Sequence, residues 1–169
     1  MNDLKFFNIR NKAIAPFVYS RVISLQAFLS SGKRNPPISN EIDEILEEVN
    51  GNRDLFISLF SQAFTLAYEK YEKHIYRHPA LLLFKAIQCF DSRFIQSNMA
   101  NHNMEDYRII EEFHSPTDTL IQEWAIYCGL NEAVEEFQDL DIYWRGKTHL
   151  LPELSALSLI YIWLLYMGA

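Results

Sequence analysis

The sequence predicts an all-α fold, an irregular multi-helix globular domain of about six to nine helices with an apolar C-terminal helix, and three observations carry that expectation. Apolar residues recur at three- and four-residue steps along most of the chain. No stretch alternates strictly at two residues, and no internal repeat is visible. Clusters of glycine, proline and asparagine end one periodic run before the next begins. With 169 residues, 49% of them apolar and 22% charged, the chain can bury a core and is too apolar for intrinsic disorder. It reads as one helical domain over 1–169.

The first helix is expected from Ile14 to Leu29, with Pro16 in its first turn and Phe17, Val18, Val22, Leu25, Phe28 and Leu29 on its inner face. The run from Ser30 to Pro37 reads as a loop, because Gly32 ends helices and Pro36 and Pro37 lack backbone donors. Ser39 or Asn40 caps a second helix whose inner face is Ile42, Ile45, Leu46 and Val49. Asn50, Gly51 and Asn52 end it, with Gly51 able to take the left-handed conformation that helix ends often use. A third helix covers Asp54 to Tyr76, with a stripe of Phe56, Phe60, Ala63, Phe64, Ala67, Tyr71 and Ile75 that Leu59, Leu66 and Tyr68 widen.

Pro79 opens a short apolar helix to Phe90, and Asp91 caps the turn after it. Further helices are expected over Glu105 to Phe113, from Pro116 to Gly129 with a capping pattern at Thr119 and Gln122, and over Leu130 to Phe137. Tyr143 and Trp144 pack on the core while Arg145 and Lys147 stay in water on a loop turned by Gly146. From Leu154 to Met167 only Ser155 and Ser158 are polar, so this segment is a buried helix or an unmet interface. Its fourteen residues fall short of the roughly 20 that span a bilayer, which favours burial.

Chemistry is sparse. Fifteen basic against twenty-two acidic side chains argue against a DNA-binding surface on this chain alone. Glycine-rich phosphate loops and Gly-x-Ser-x-Gly are absent, and Cys89 and Cys128 read as core residues of a protein from a reducing compartment. His74 and His78 stand one helical turn apart, a spacing that suits a shared metal, but no second pair of ligands is near in sequence. Asp91, Asp139 and Asp141 lack strands to present them to a divalent cation. The expectation is therefore no cofactor, no metal and no catalytic residue.

The order of the pieces is more informative. His78-Pro79-Ala80, Phe90-Asp91-Ser92-Arg93-Phe94, Asp141-Ile142-Tyr143-Trp144 and Leu151-Pro152-Glu153-Leu154-Ser155-Ala156-Leu157 follow one another as a series that resembles the C-terminal half of hAT-superfamily transposases. Ser92 stands where that family usually has proline, and Tyr143 replaces the first of two common tryptophans. The resemblance implies insertion-like helices over 1–76 and the start of the family's C-terminal dimerisation region over 79–169. The family's catalytic acids have no counterpart here, and Asp91 matches a motif residue that is not one of them.

The implied function is that of a catalytically incomplete, transposase-derived protein or fragment acting through dimerisation, within a DNA-transposition or DNA-binding assembly. Its partner would be a second copy or a related transposase-like protein, with DNA reached through another domain, no membrane and no small-molecule substrate. The compartment would be nuclear or cytoplasmic. Tyr143, Trp144, Pro152, Leu154, Leu157, Ile160, Tyr161, Trp163 and Leu164 are the expected association residues. A rival reading is a helical enzyme that gathers Asp91, Asp139, His74 or His78 into a cleft. A third is a nucleic-acid binder using Arg34, Arg145 and Lys147.

Overall fold

A computed structural model describes residues 14–49, 51–132 and 139–163. Among them the chain forms nine α-helices and no strand. Contacts divide the chain into two compact units: one is built on the chain up to Tyr19 and from Leu82 onward, the other on Ser20–Leu81. The boundary falls inside α1 (Ala15–Arg34) and inside α4 (Ala80–Ile87).

The Ser20–Leu81 unit contains most of α1, with α2 (Asn40–Glu48) and α3 (Arg53–Tyr71), which continues as a π-helical turn over Glu72–Tyr76. Helix α1 does not stop at Ser30. It runs through Gly32 to Arg34 and ends because Asn35 precedes Pro36, where the ring disfavours helical backbone. Val22 accepts a hydrogen bond from the Tyr71 hydroxyl at 2.9 Å, Phe28 meets Phe64 edge-on at 5.5 Å, and Lys33 Nζ lies 4.3 Å from the Tyr68 ring centre. Val22 near the start of α1 thus meets Tyr71 at the end of α3, whereas Phe28 and Gly32 further along α1 meet Phe64, seven residues earlier on α3, so the two helices run antiparallel.

Asn52 caps α3 through its side chain, which accepts from Leu55 N at 3.0 Å, and Arg53 holds Asp43 of α2 through two contacts of 2.8 and 3.3 Å. Gly51 does not take the left-handed conformation open to it. A Cβ there would lie 2.8 Å from Leu46 Cδ2, a methyl group that can swing aside. The Gly51 amide donates to Leu46 O at 2.7 Å, which closes the end of α2.

The other unit holds the whole buried apolar cluster. The predicted helix at 80–90 is α4 followed by a 3₁₀ turn, Gln88–Phe90. Asp91 then caps α5 (Ser92–Ile95), accepting from Arg93 N at 3.1 Å and pairing with the Arg93 guanidinium at 2.8 and 3.1 Å.

The single helix expected over Glu105–Phe113 is instead a 3₁₀ turn, Met104–Tyr107, and one α-helical turn, α6 (Glu111–His114). Met104, Tyr107, Ile110 and Phe113 are all buried. Their strict three-residue spacing matches the three residues per turn of a 3₁₀ path and drifts off one face of an α-helix. Helix α7 (Asp118–Gly129) is capped by Thr117 rather than Thr119, with Thr117 Oγ1 accepting from Leu120 N at 3.0 Å. Most of the piece expected over Leu130–Phe137 lies outside the described residues.

Gly146 does not turn a loop. It continues α8 (Leu140–Lys147), with nothing within 4 Å of where its Cβ would be. An exposed helical glycine costs about 1 kcal/mol relative to alanine, less than burial of the neighbouring Trp144 contributes. Helix α9 (Pro152–Ile162) begins on Pro152, whose missing amide is harmless at a helix start, and packs against α7 and α8. Its cap comes from a distant residue: buried Glu123 of α7 accepts from Leu154 N at 2.7 Å and Glu153 N at 3.3 Å. No helix among the described residues is long and apolar enough to cross a membrane.

Candidate association surface

The residues expected to dock a partner are distributed unevenly between core and surface. Trp144 is fully buried: its indole donates to Phe90 O at 2.9 Å and its ring meets Tyr127, Tyr143 and Phe90 at 4.9, 5.3 and 6.3 Å. Tyr143, Leu154 and Leu157 are buried in the same cluster. Tyr161 is half-buried, stacked on Phe90 at 5.8 Å with its hydroxyl donating to Glu112 at 2.9 Å, and Trp163 donates to Asp141 at 3.0 Å. Pro152 and Ile160 are exposed, and Leu164 lies outside the described residues. The aromatic and leucine part of the set thus holds its own unit together.

Lys147 is not simply solvated. Its ammonium pairs with Glu132 and lies 5.4 Å from the Tyr143 ring centre, while Arg145 stays exposed and pairs with Asp141 at 2.9 Å. The hydrogen bond from Arg145, with a further one from Trp163, holds the Asp141 carboxyl below the usual aspartate range. Among the described residues no group of three or more His, Cys, Asp or Glu side chains could hold a metal, and Asp91 is occupied by Arg93. A cleft of about 560 Å³ is floored by Met104, Phe113 and Trp124, and its lining carboxylate, Glu105, is held by Arg108 at 2.6 Å.

Burial has a measurable electrostatic consequence for the tyrosines. It pushes the Tyr107 and Tyr143 phenols up to about 12, does the same for Tyr161 with help from Glu112, and raises Tyr127 well above its ordinary value. A phenol raised in the folded state contributes stability that is present below pH 10 and lost as pH rises through its folded value. Helix content measured by circular dichroism should therefore collapse between about pH 10 and 12, together with the late fraction of tyrosinate absorbance. Complete tyrosine ionisation near pH 10 with helices intact would contradict the buried placement.

Among the described residues, the larger exposed apolar surface belongs to the unit that has no share in the core cluster. Helix α2 has no buried residue, and Ile45 and Val49, expected on its inner face, are 57% and 66% exposed. Periodicity identifies which side of a helix is apolar, not what covers it. On α3 two apolar faces diverge. Phe64 and Tyr71 meet α1, whereas Leu55, Leu59 and Leu66 are 56%, 53% and 62% exposed. With exposed Gln62 between them, Leu55, Leu59, Gln62 and Leu66 advance by four, three and four residues, the step of a coiled-coil seam.

The sequence stripe counted Leu59 and Leu66 as a widening of the inner face and omitted Leu55; the 4-3-4 spacing was the available signal. The Ser20–Leu81 unit carries seven basic and eight acidic side chains, so this surface is close to neutral while the chain is acidic. No family model, curated protein or solved structure matches the chain.

Proposed function

We propose that this chain is an association module that pairs with a second copy of itself through the outward face of α3, and that it derives from a hAT-type transposase. The observation that carries the pairing is the leucine seam Leu55, Leu59 and Leu66, exposed on a helix whose other apolar face is already covered by α1. A soluble unit with one covered and one open apolar stripe gains by closing the second stripe against another helix. Full burial of a leucine contributes about 1.5–3 kcal/mol, so three per copy are of the order needed to offset the cost of association.

Self-pairing is supported by the near-neutral balance of the unit, seven basic against eight acidic side chains, which keeps repulsion between two copies of this face small although the chain as a whole is acidic. The transposase ancestry rests on the ordered motifs around Asp91, Trp144 and Pro152, and places the chain in the nucleus or cytoplasm. In this reading Tyr143, Trp144, Leu154 and Leu157 act as a scaffold, and Pro152 and Ile160 are the members of the expected set left to meet a partner.

The test is sedimentation equilibrium of the chain and of Leu59→Asp at micromolar concentration. The wild-type chain is expected as a two-chain species and Leu59→Asp as one chain with unchanged helix content. A wild-type chain that sediments as a monomer, or a Leu59→Asp variant that still pairs, would remove the proposal.

A further inference from the structure

The seam alone does not set the direction of pairing, but the charges around it do. Acidic side chains gather on α2, beside the start of α3: Glu41, Asp43, Glu44, Glu47 and Glu48, of which Asp43 is held by Arg53. Basic side chains gather at the far end of α3, where Lys70 and Lys73 are followed by Arg77 and interleaved with Glu69 and Glu72. Glu72 accepts a hydrogen bond from Tyr68 at 2.9 Å. Lys70 lies about 25 Å along the helix from Arg53, so the acidic and basic ends are well separated. Glu47, Glu48, Lys70 and Lys73 are all exposed.

We infer that two copies pair antiparallel along α3 about a two-fold axis, Leu55 of each against Leu66 of the other and Leu59 against Gln62, with Glu47 and Glu48 reaching Lys70 and Lys73 of the second copy. This rests on the pairing proposed above and specifies its geometry. One antiparallel register satisfies both contacts at once, because the 4-3-4 spacing reads the same from either end. A two-fold interface uses each contact twice, so both acidic ends are neutralised together. Parallel pairing would set α2 against α2 and Lys70 against Lys70, placing like charges together at both ends. Gln62 tolerates the seam because its amide already donates to Ser58 Oγ at 3.3 Å.

Two experiments read the direction. In a Cys128→Ser background, chains carrying Leu55→Cys and chains carrying Leu66→Cys are mixed in a glutathione buffer; mixed disulfide dimers should exceed like-with-like dimers by at least about tenfold, since only facing positions meet disulfide geometry. Like-with-like products in excess would overturn the inference. Separately, the double variants Glu47→Lys/Glu48→Lys and Lys70→Glu/Lys73→Glu should each weaken self-pairing about tenfold at low salt, and an equimolar mixture should recover wild-type affinity as a heterodimer. Charge variants that pair as tightly as wild type would overturn the electrostatic direction. If Leu59→Asp still disperses the pair in that case, the association surface survives and the antiparallel geometry falls.

Discussion

Replacing Trp144 by alanine is expected to remove about 3–5 kcal/mol from the stability of its unit, the range for deleting a fully buried large aromatic. The indole is fully buried and meets the rings of Tyr127, Tyr143 and Phe90. Its N–H satisfies Phe90 O at 2.9 Å, so truncation opens a cavity and also orphans a buried carbonyl, which costs about 1–3 kcal/mol in its own right. Native domains keep only about 5–15 kcal/mol, so the variant should lie near its unfolding midpoint at room temperature. Urea titration followed by circular dichroism measures the shift. Trp144→Phe helps to separate the two contributions, because it loses the donor while keeping most of the ring volume; it should cost less than half as much. A Trp144→Ala variant within about 1 kcal/mol of wild type would mean that the aromatic cluster is not the centre of this unit.

What was legible in the sequence was local. Asp91 announces a cap because the residue and the amide it accepts are two positions apart, and Pro152 announces a helix start because its ring restricts its own backbone. Cys89 and the aromatic pair Tyr143 and Trp144 read as core from composition alone, and all three are buried. What was not legible depends on partners far along the chain. Glu123 looks like an ordinary surface glutamate of α7, yet it lies buried under the first turn of α9 because two amides there need an acceptor. The open face of α2 and the leucine seam of α3 show the same limit from the other side: the apolar pattern was visible, but whether another helix covers it is settled only by the tertiary arrangement. The helix-breaking preference of glycine misled at Gly32 and Gly146, because it is worth only about 1 kcal/mol and packing on either side overrides it.

Gly32→Ala is the second large effect, and two opposing contributions decide its sign. In an exposed helix interior, alanine would gain up to about 1 kcal/mol over glycine. Gly32, however, is buried where α1 crosses α3, and a Cβ there would lie 2.3 Å from Phe64 Cδ1, 2.4 Å from Cε1 and 2.6 Å from Cγ. Contact at Cγ means that turning the ring about its own axis does not clear the clash, so the whole side chain must change rotamer or the helices must part. Phe64 is also the ring that Phe28 packs against at 5.5 Å, so moving it disturbs a second contact. Overpacking of this kind costs about 1–3 kcal/mol and outweighs the gain in propensity. Thermal unfolding should therefore show Gly32→Ala destabilised, and destabilised in the unit that has no share in the buried cluster. The decisive comparison is a double-mutant cycle with Phe64→Ala: if the clash is the cause, Gly32→Ala becomes neutral or stabilising once the ring is gone, and the two substitutions together cost less than their sum. Strict additivity would place the helix crossing elsewhere. Because α3 carries the leucine seam on its other side, Gly32→Ala should also weaken pairing of two copies, without touching any residue of the seam itself.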